Sequence, residues 1–258
     1  MEKIKPYKSL GQNFLTDMNI RKKIVDAMEI EENDFIIEIG PGTGALTELI
    51  LENEVSYLGI ELDKRAYEII KKMVSEKQNC DVINQDILAT NSDMITKNSK
   101  VVGNLPYYIT SSIIFKILEA KEKPKSAIFM VQKEVAHRLN GKINSKENGI
   151  LSIAISLLGQ AEILFDVSPN CFYPKPKVWS SVVKITFNRE LSEFKEIMSL
   201  VKMAFNQRRK TLSNSIKSYV TDINLEGLEL VLKKRAEQLS ANDFIDLYNE
   251  IKNSKNIK

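Results

Sequence analysis

The feature that most restricts the fold of this chain is a regular alternation of strand-like and helix-like segments between residues 34 and 132. Five short runs rich in apolar and β-branched residues are typical of buried strands, and segments with apolar side chains at helical spacing separate most of them. The strand-like runs are residues 34–40, 55–63, 80–88, 100–107 and 125–132, and the helix-like segments are residues 44–54, 64–77 and 111–120. This alternation predicts βαβ units and therefore a parallel sheet in an α/β fold.

The strand signals continue as far as Phe187 and then stop. Residues 161–169 and 178–187 form two more strand-like runs, which we expect to be antiparallel to each other. Beyond them the apolar residues follow helical spacing. A chain of 258 residues suits one large domain with a small second one. We therefore expect an α/β domain over residues 1–188 and a small all-helical domain over residues 189–258.

The composition favours a folded protein of a reducing compartment. About 43% of the residues are hydrophobic and 28% are charged, which allows a sizeable core. The two cysteines, Cys80 and Cys171, have neither a zinc-ligand spacing nor a disulfide framework. No secretory signal is visible, and the longest apolar stretch, near residues 149–159, is too short to span a bilayer. We expect a cytoplasmic protein without metal, and nothing in the sequence argues against a monomer.

Glycines and acids follow three of the predicted strands, at the sheet edge where α/β proteins bind ligands. Glu38, Gly40, Gly42 and Gly44 mark the end of the first strand, and the glycines have a G-x-G-x-G spacing, which differs from a dinucleotide fingerprint. Glu61 could accept hydrogen bonds from both hydroxyls of a ribose, and Asp86 could accept one from the amino group of adenine. A single acid at such a position commonly caps a helix. Together these residues predict a pocket for an adenosine without a pyrophosphate, and S-adenosylmethionine fits that description.

The fourth predicted strand ends in an asparagine and a proline. Pro106 cannot continue a ladder, so the carbonyl of Leu105 and the side-chain carbonyl of Asn104 are two acceptors for an amino group near the cofactor. Tyr107 offers a flat face for a base, and Phe172, in a proline-rich loop, could cover the other face. The alternatives are a turn with a packed tyrosine and a phenylalanine that packs under its loop.

Positive charge is concentrated in one segment of the predicted helical domain. The net charge is only +3, but between Lys202 and Lys217 there are basic residues and no acid. Arg208, Arg209 and Lys210 are consecutive in this segment. Such a cluster is typical either of a phosphate-binding surface or of a solvated helix face.

Eight segments of the sequence, taken in order, resemble the motifs of the KsgA-type ribosomal RNA adenine dimethyltransferases. The resemblance runs from about residue 5 to residue 250 and so covers nearly the whole chain. The segments are "GQNFL", "EIGPGTGALT", "GIELD", "QDIL", "GNLPYYIT", "MVQKEVAHRL", "FYPKPKV" and "FNQRRKTLSN". The glycine loop alone is not specific, whereas the eight segments together are highly specific.

The resemblance implies a Rossmann-like class I methyltransferase domain followed by a helical domain that helps to dock on the small ribosomal subunit. It implies transfer of methyl groups from S-adenosylmethionine to N6 of two adjacent adenosines near the 3′ end of small-subunit ribosomal RNA, two methyl groups to each. The implied cofactor contacts are Asn13, Leu15, Gly40, Gly42, Glu61, Asp86 and Asn104. The implied contacts to the target adenine are Asn104, Leu105, Pro106 and Tyr107, and Phe172 stays the further candidate from the proline-rich loop. The segment with Arg208, Arg209 and Lys210 would be a basic helix that follows RNA phosphates.

Some positions depart from common patterns of that family. Asn148 stands where an aromatic residue is frequent, Trp179 where aspartate is frequent, and Tyr108 where asparagine is frequent. We expect these positions on the side of the RNA substrate. The single histidine, His137, lies in a predicted helix and is interpreted as structural.

Three other functions remain open at this point. An Erm-type enzyme would methylate one adenosine of large-subunit RNA, and it shares the glycine loop, an N-x-P-Y motif and the proline-rich loop. The "NQRRKTLSN" and "MVQKEVAHRL" segments favour the KsgA type. A non-catalytic assembly or nucleic-acid-binding factor on the same fold predicts degraded motifs, whereas these are intact. A DNA adenine methyltransferase is a weaker alternative.

Overall fold

The structure of the protein, a computed structural model, describes residues 4–217 and 227–256. The strands are β1 Phe14–Leu15, β2 Phe35–Ile39, β3 Ser56–Glu61, β4 Cys80–Asn84, β5 Ser99–Asn104, β6 Ser126–Gln132, β7 Gly159–Val167, β8 Phe172–Tyr173 and β9 Ser180–Phe187. The helices are α1 Met18–Asp26, α2 Thr47–Ile50, α3 Lys64–Val74, α4 Thr110–Leu118, α5 Lys133–Leu139, α6 Ile150–Leu158, α7 Phe194–Asn206, α8 Leu212–Ser215, α9 Glu229–Lys233 and α10 Ala241–Asn256.

Seven of the strands form one sheet in the order β4-β3-β2-β5-β6-β9-β7. The pairs within β4, β3, β2, β5 and β6 are parallel, and β9 is antiparallel to β6. The central strands are apolar because they are buried on both faces, as in other parallel sheets. Ile36 and Ile37, adjacent in β2, show this directly, since both are buried. The predicted α/β fold with a parallel sheet is therefore confirmed.

The strand order reverses between β2 and β5, and this reversal opens a crevice at one edge of the sheet. The chain runs from β2 outward to β3 and β4, and then returns to place β5 on the other side of β2. The loops that leave β2 and β5 therefore diverge, and a crevice opens between their carboxyl ends. The glycine loop follows β2, and the asparagine–proline segment follows β5.

The chain divides into two compact units. The first comprises Met1–Ala136 and Glu162–Phe187, and the second comprises His137–Ala161 and Asn188–Lys258. Phe187 thus ends the first unit close to the boundary expected near residue 188. The structure differs from the expected division by grouping residues 137–161 with the helices, because α6 is apolar on nearly every side and packs against α7 and α10. Residues 218–226 of the expected helical domain lie outside the described residues.

Across the two described ranges, no helix combines the length and the apolar character needed to cross a membrane. Most of the described part of the second unit is helical. The β structure among its described residues consists of the first residues of β7 and one isolated bridge between Thr211 and Arg235.

Candidate active site

A pocket in the first unit lies at the carboxyl edge of the sheet. Its walls come from the N-terminal segment, the glycine loop after β2, the ends of β3 and β4, and the segment after β5. All the residues that the sequence suggested for the cofactor line it, namely Asn13, Leu15, Gly40, Gly42, Glu61, Asp86 and Asn104. Leu105, Pro106 and Tyr107 line it too. The structure therefore brings the two predicted sites together, while the role of each residue stays a prediction.

The glycine loop lets the backbone form one wall of the pocket. Gly40 and Gly42 have φ angles of 65° and 59°, in the left-handed region that favours glycine. A Cβ atom on Gly42 would lie 3.2 Å from the ring of Phe14, whereas a Cβ atom on Gly40 would meet nothing within 4 Å. A ligand can therefore approach the Gly40 backbone closely.

Glu61 is held by the backbone in an orientation suited to binding hydroxyl groups. Its two carboxylate oxygens accept hydrogen bonds from the N–H of Gly42 and the N–H of Asp63, each at 2.8 Å. The side chain is only 5% exposed, and burial raises its pKa above the ordinary value. An ionised carboxylate has about four acceptor positions, so each oxygen keeps capacity for a further hydrogen bond. Two vicinal hydroxyls match that remaining capacity.

Glu38, the acid near the end of β2 just before the glycine loop, lines the pocket as well. Its Oε2 atom accepts hydrogen bonds from Thr47 Oγ1 at 2.7 Å and from Tyr57 OH at 2.8 Å. Burial outweighs these hydrogen bonds and raises the pKa of Glu38 to about 7, and the nearby charge of Glu61 acts in the same direction.

The raised pKa of Glu38 predicts a specific pH dependence of stability. Between pH 4.5 and about pH 7, Glu38 stays protonated in the folded protein, whereas the same group loses its proton in the unfolded chain. The free energy of unfolding therefore falls as pH rises through this window. Glu38→Gln removes this titration. We compare the free energy of unfolding of the variant with that of the original protein at each pH. The difference, variant minus original, should be larger at pH 8 than at pH 5 by on the order of 3 kcal/mol. Urea unfolding at both pH values measures it.

The exposed residue Glu76 offers a matched control for this measurement. Glu76→Gln, measured at the same two pH values, serves as the reference for removing an exposed carboxylate. A pH-independent difference for Glu38→Gln would contradict the buried titration.

Asp86 caps a short 3-10 helix, Ile87–Ala89, and still faces the pocket. Its Oδ1 atom accepts a hydrogen bond from Leu88 N at 2.9 Å, while its Oδ2 atom has no hydrogen-bond partner among residues 4–217 and 227–256. Lys116 on α4 fixes the same loop through hydrogen bonds to the carbonyls of Leu88 and Thr90. The capping role and the predicted contact to an adenine amino group are therefore compatible.

Asn104 is oriented by the N-terminal segment. Its Nδ2 atom donates a 2.8 Å hydrogen bond to the carbonyl of Asn13, and its Oδ1 atom has no partner in the described part of the chain. Leu105 donates its N–H to the carbonyl of Met130 at 3.1 Å, whereas its own carbonyl receives no hydrogen bond from the described residues. Two neighbouring acceptors therefore remain available at the end of β5.

The two aromatic residues predicted to hold a base differ in their surroundings. Tyr107 lines the pocket and is half-buried, and its hydroxyl shares a 2.8 Å hydrogen bond with Ser180 Oγ. Burial raises the pKa of Tyr107. Phe172 is only 3% exposed, belongs to the hydrophobic core and is absent from the pocket wall. This packing corresponds to the structural alternative for Phe172, and its contact with a base stays a prediction.

The N-terminal segment is attached to the sheet by side chains that the sequence analysis did not identify. Gln12 Nε2 donates to Asp63 Oδ2 at 2.9 Å, and Arg65 pairs with the same carboxylate at 2.6 Å. The guanidinium of Arg65 also lies 3.6 Å from the centre of the Tyr7 ring. Arg21 donates two hydrogen bonds to the carbonyl of Leu15. The contact between Gln12 and Asp63 spans 51 positions, so no local sequence pattern could reveal it.

The basic cluster of the second unit is a turn. Helix α7 ends at Asn206, so Arg208, Arg209 and Lys210 lie between α7 and α8, and the prediction of a basic helix was wrong. All three side chains are exposed. Arg208 also forms hydrogen bonds within the second unit: its Nη2 atom donates to the carbonyl of Lys146 at 3.1 Å and to Glu237 Oε2 at 3.4 Å.

Asn148 is a structural residue of the second unit. It is 1% exposed, and its Nδ2 atom donates to the carbonyls of Glu237 and Leu239 at 2.9 and 3.1 Å. The structure therefore gives Asn148 a packing role, and its expected position on the side of the RNA stays a prediction. Trp179 and Tyr108, in contrast, are 51% and 61% exposed, and His137 is exposed on α5. Among the described residues, no group of His, Cys, Asp and Glu is placed to hold a metal ion.

Comparisons with known proteins agree with this arrangement. The family model described as ribosomal RNA adenine dimethylase matches residues 3–253. A "Ribosomal RNA small subunit methyltransferase A" of Alkaliphilus metalliredigens is 39% identical, over 95% of this chain and 91% of the relative. One of Mycoplasmopsis pulmonis is 41% identical, over 95% and 98%. A crystal structure of a dimethyladenosine transferase from Plasmodium falciparum superimposes with a TM-score of 0.82 at 27% identity and covers 94% of this chain and 98% of that one.

Proposed function

This chain belongs to the ribosomal RNA adenine dimethylase family, and on that premise we propose that it dimethylates N6 of two adjacent adenosines near the 3′ end of small-subunit ribosomal RNA. S-adenosylmethionine supplies the methyl groups. The observation that carries the proposal is one shared pocket. Residues suited to an adenosine, Glu61 and Asp86, line the same cavity as the Asn104–Tyr107 segment, which is suited to an amino group.

The residues of the pocket fit S-adenosylmethionine. Glu61 would hold the ribose hydroxyls with the acceptor capacity that remains on its two oxygens. Asp86 would accept a hydrogen bond from the adenine amino group through Oδ2. The bare backbone of Gly40 would allow close contact along the wall. When bound, the cofactor offers an electrophilic methyl group on a sulfonium.

Asn104 and Leu105 would prepare the target amine for attack. The lone pair of an adenine amino group is delocalised into the ring, which makes the nitrogen a poor nucleophile. Two carbonyl oxygens that accept its two hydrogens favour a pyramidal nitrogen and direct its lone pair toward the methyl donor. Positioning of reacting groups can contribute about 7–11 kcal/mol at most. The methylated amine becomes acidic, so its proton can leave after the transfer without a dedicated base.

Tyr107 would hold the plane of the target base. Stacking of one base on an aromatic ring contributes roughly 1–3 kcal/mol. The hydrogen bond between the Tyr107 hydroxyl and Ser180 fixes the ring without occupying its faces. Extrusion of the base from its stack costs a few kcal/mol and costs less when the base is unpaired.

The turn between α7 and α8 would contact RNA phosphates. Arg209 and Lys210 are exposed and carry no acidic partner among the described residues, whereas Arg208 is partly engaged by Glu237. Arg209 and Lys210 are therefore the better candidates for phosphate contacts. A substrate of this kind also places the protein where ribosomal subunits assemble, and we propose that it works in the cytoplasm as a monomer.

Methylation of purified small and large ribosomal subunits, side by side, tests the proposed function. With labelled S-adenosylmethionine and substrate subunits that lack the modification, label should enter small-subunit RNA alone. Mass spectrometry of the digested RNA should show two dimethylated adenosines. Incorporation into large-subunit RNA alone would favour the Erm-type reaction. Binding to subunits without incorporation would favour a non-catalytic assembly factor.

A further inference from the structure

An exposed loop at the edge of the first unit combines aromatic and positively charged side chains. The segment Tyr173–Trp179, called the aromatic–lysine loop below, connects β8 and β9. Its end residues Tyr173 and Trp179 are 64% and 51% exposed, although large aromatic side chains usually bury most of their surface. Lys175 and Lys177 between them are exposed as well. No aspartate or glutamate occurs from residue 167 to residue 189.

The start of the loop is attached to a wall of the pocket. Strand β8 pairs with β1, so that Tyr173 lies opposite Phe14 and Phe172 lies opposite Leu15. Phe14 and Leu15 both line the pocket. The N–H of Thr16 extends this pairing with a 2.8 Å hydrogen bond to the carbonyl of Cys171. Tyr173 is therefore one strand away from the cofactor pocket.

The end of the loop is attached to the residue proposed to hold the target base. The carbonyl of Trp179 accepts a 2.9 Å hydrogen bond from Lys133 N. The next residue, Ser180, is fully buried and shares its hydroxyl hydrogen bond with Tyr107. Pro174 and Pro176 restrict the backbone between the two ends. The loop is thus held at both ends relative to the pocket, while its aromatic side chains remain exposed.

We propose that the aromatic–lysine loop binds the single-stranded RNA next to the target adenosine, with flanking bases stacked on Tyr173 and Trp179 and phosphates paired with Lys175 and Lys177. Exposed aromatic rings on either side of two cations, on an acid-free segment, are the chemistry that recognises single-stranded nucleic acid. The proposal deepens the proposed function and rests on it, because the pocket beside the loop must receive a base from RNA.

Trp179 is the only tryptophan of the chain, which makes the proposal directly measurable. A single-stranded RNA of about eight nucleotides with two adjacent adenosines, within the usual range of site sizes, should quench tryptophan fluorescence as it binds. Trp179→Ala should weaken binding of the same RNA about tenfold, as measured by anisotropy of a labelled oligonucleotide, and Tyr173→Ala should act similarly. Trp179→Phe should restore most of the affinity.

The two lysines give an independent test by salt dependence. For single strands, the slope of log Kd against log salt changes by about 0.7 for each phosphate contact. Lys175→Ala together with Lys177→Ala should reduce the slope accordingly, whereas Lys71→Ala on the exposed face of α3 should leave it unchanged. Equal slopes for the original protein, the double lysine variant and Lys71→Ala would contradict the proposed contacts of Lys175 and Lys177 with phosphates.

Failure of the loop proposal can be distinguished from failure of the proposed function, because the fluorescence assay needs no turnover. Dimethylation of small-subunit RNA by the original protein, with no quenching and with unchanged affinity in Trp179→Ala, would overturn the loop proposal alone. Quenching and loss of affinity without any methyl transfer would support the loop and contradict the proposed reaction. Fluorescence that stays constant throughout the titration, with no methyl transfer, would overturn both.

Discussion

Replacing Asn104 with alanine should lower turnover by roughly 10²- to 10³-fold, the loss typical of removing one preorganised hydrogen-bonding group from an active site. The variant loses the Oδ1 acceptor proposed to hold the target amine. It also loses the hydrogen bond from Nδ2 to the carbonyl of Asn13, which is worth about 1 kcal/mol and should weaken cofactor binding only about fivefold. Single-turnover methylation of small subunits, combined with calorimetry of cofactor binding, separates the two effects.

Asn104→Asp is the informative companion of the alanine variant. Aspartate keeps oxygen acceptors at the same position but loses the donor to Asn13, so it should recover part of the turnover while cofactor affinity stays reduced. Asn98→Ala changes an exposed asparagine of the same unit and serves as a matched control. Near-normal dimethylation by Asn104→Ala would refute the proposed role of the two acceptors. Equal losses in the alanine and aspartate variants would indicate that Asn104 acts only by holding the N-terminal segment.

Much of the fold could be predicted from the sequence because the central strands are buried on both faces. A strand such as β2, with Ile36 and Ile37 fully buried, must be apolar at successive positions, and that pattern is visible without coordinates. The expected helix over residues 44–54 was less accurate, since only Thr47–Ile50 is α-helical. The preceding glycines have positive φ angles, which are incompatible with a right-handed helix. The segment with Gly44 is therefore still part of the loop that lines the pocket, and α2 begins only at Thr47.

Without the family resemblance, the candidate site could be predicted only where its residues follow strands. Glu61 and Asp86 stand at strand ends, so the topology of a parallel sheet brings them together. The hydrogen bond between Asn104 and Asn13 joins residues 91 positions apart, and that between Gln12 and Asp63 spans 51 positions. Neither leaves a periodic signal in the sequence. The hydrogen bonds by which Asn148 joins two segments of the second unit span 89 and 91 positions and leave no periodic signal either.

Glu61→Ala should weaken binding of S-adenosylmethionine roughly 100-fold. Two hydrogen bonds from ribose hydroxyls to a carboxylate would be lost, at about 1.5 kcal/mol or more each. The substitution also leaves the N–H groups of Gly42 and Asp63 without their acceptor, so thermal unfolding must be measured in parallel. Calorimetry with the folded variant gives the affinity. The exposed residue Glu76 provides the control, since Glu76→Ala should bind like the original protein.

A cofactor analogue without the ribose 2′-hydroxyl distinguishes a specific contact of Glu61 from a general loss of pocket shape. The original protein should bind this analogue about tenfold more weakly than S-adenosylmethionine, because one charge-assisted hydrogen bond is missing. The Glu61→Ala variant has already lost that contact, so it should bind the two compounds almost equally. The substitution of Glu61 and the removal of the 2′-hydroxyl together form a double-mutant cycle. The part of the binding free energy that is not additive in this cycle measures the hydrogen bond between the two groups. If the variant discriminated between the compounds as strongly as the original protein, the ribose would have to be held elsewhere in the pocket, and the structural role of Glu61 would be limited to ordering Gly42 and Asp63.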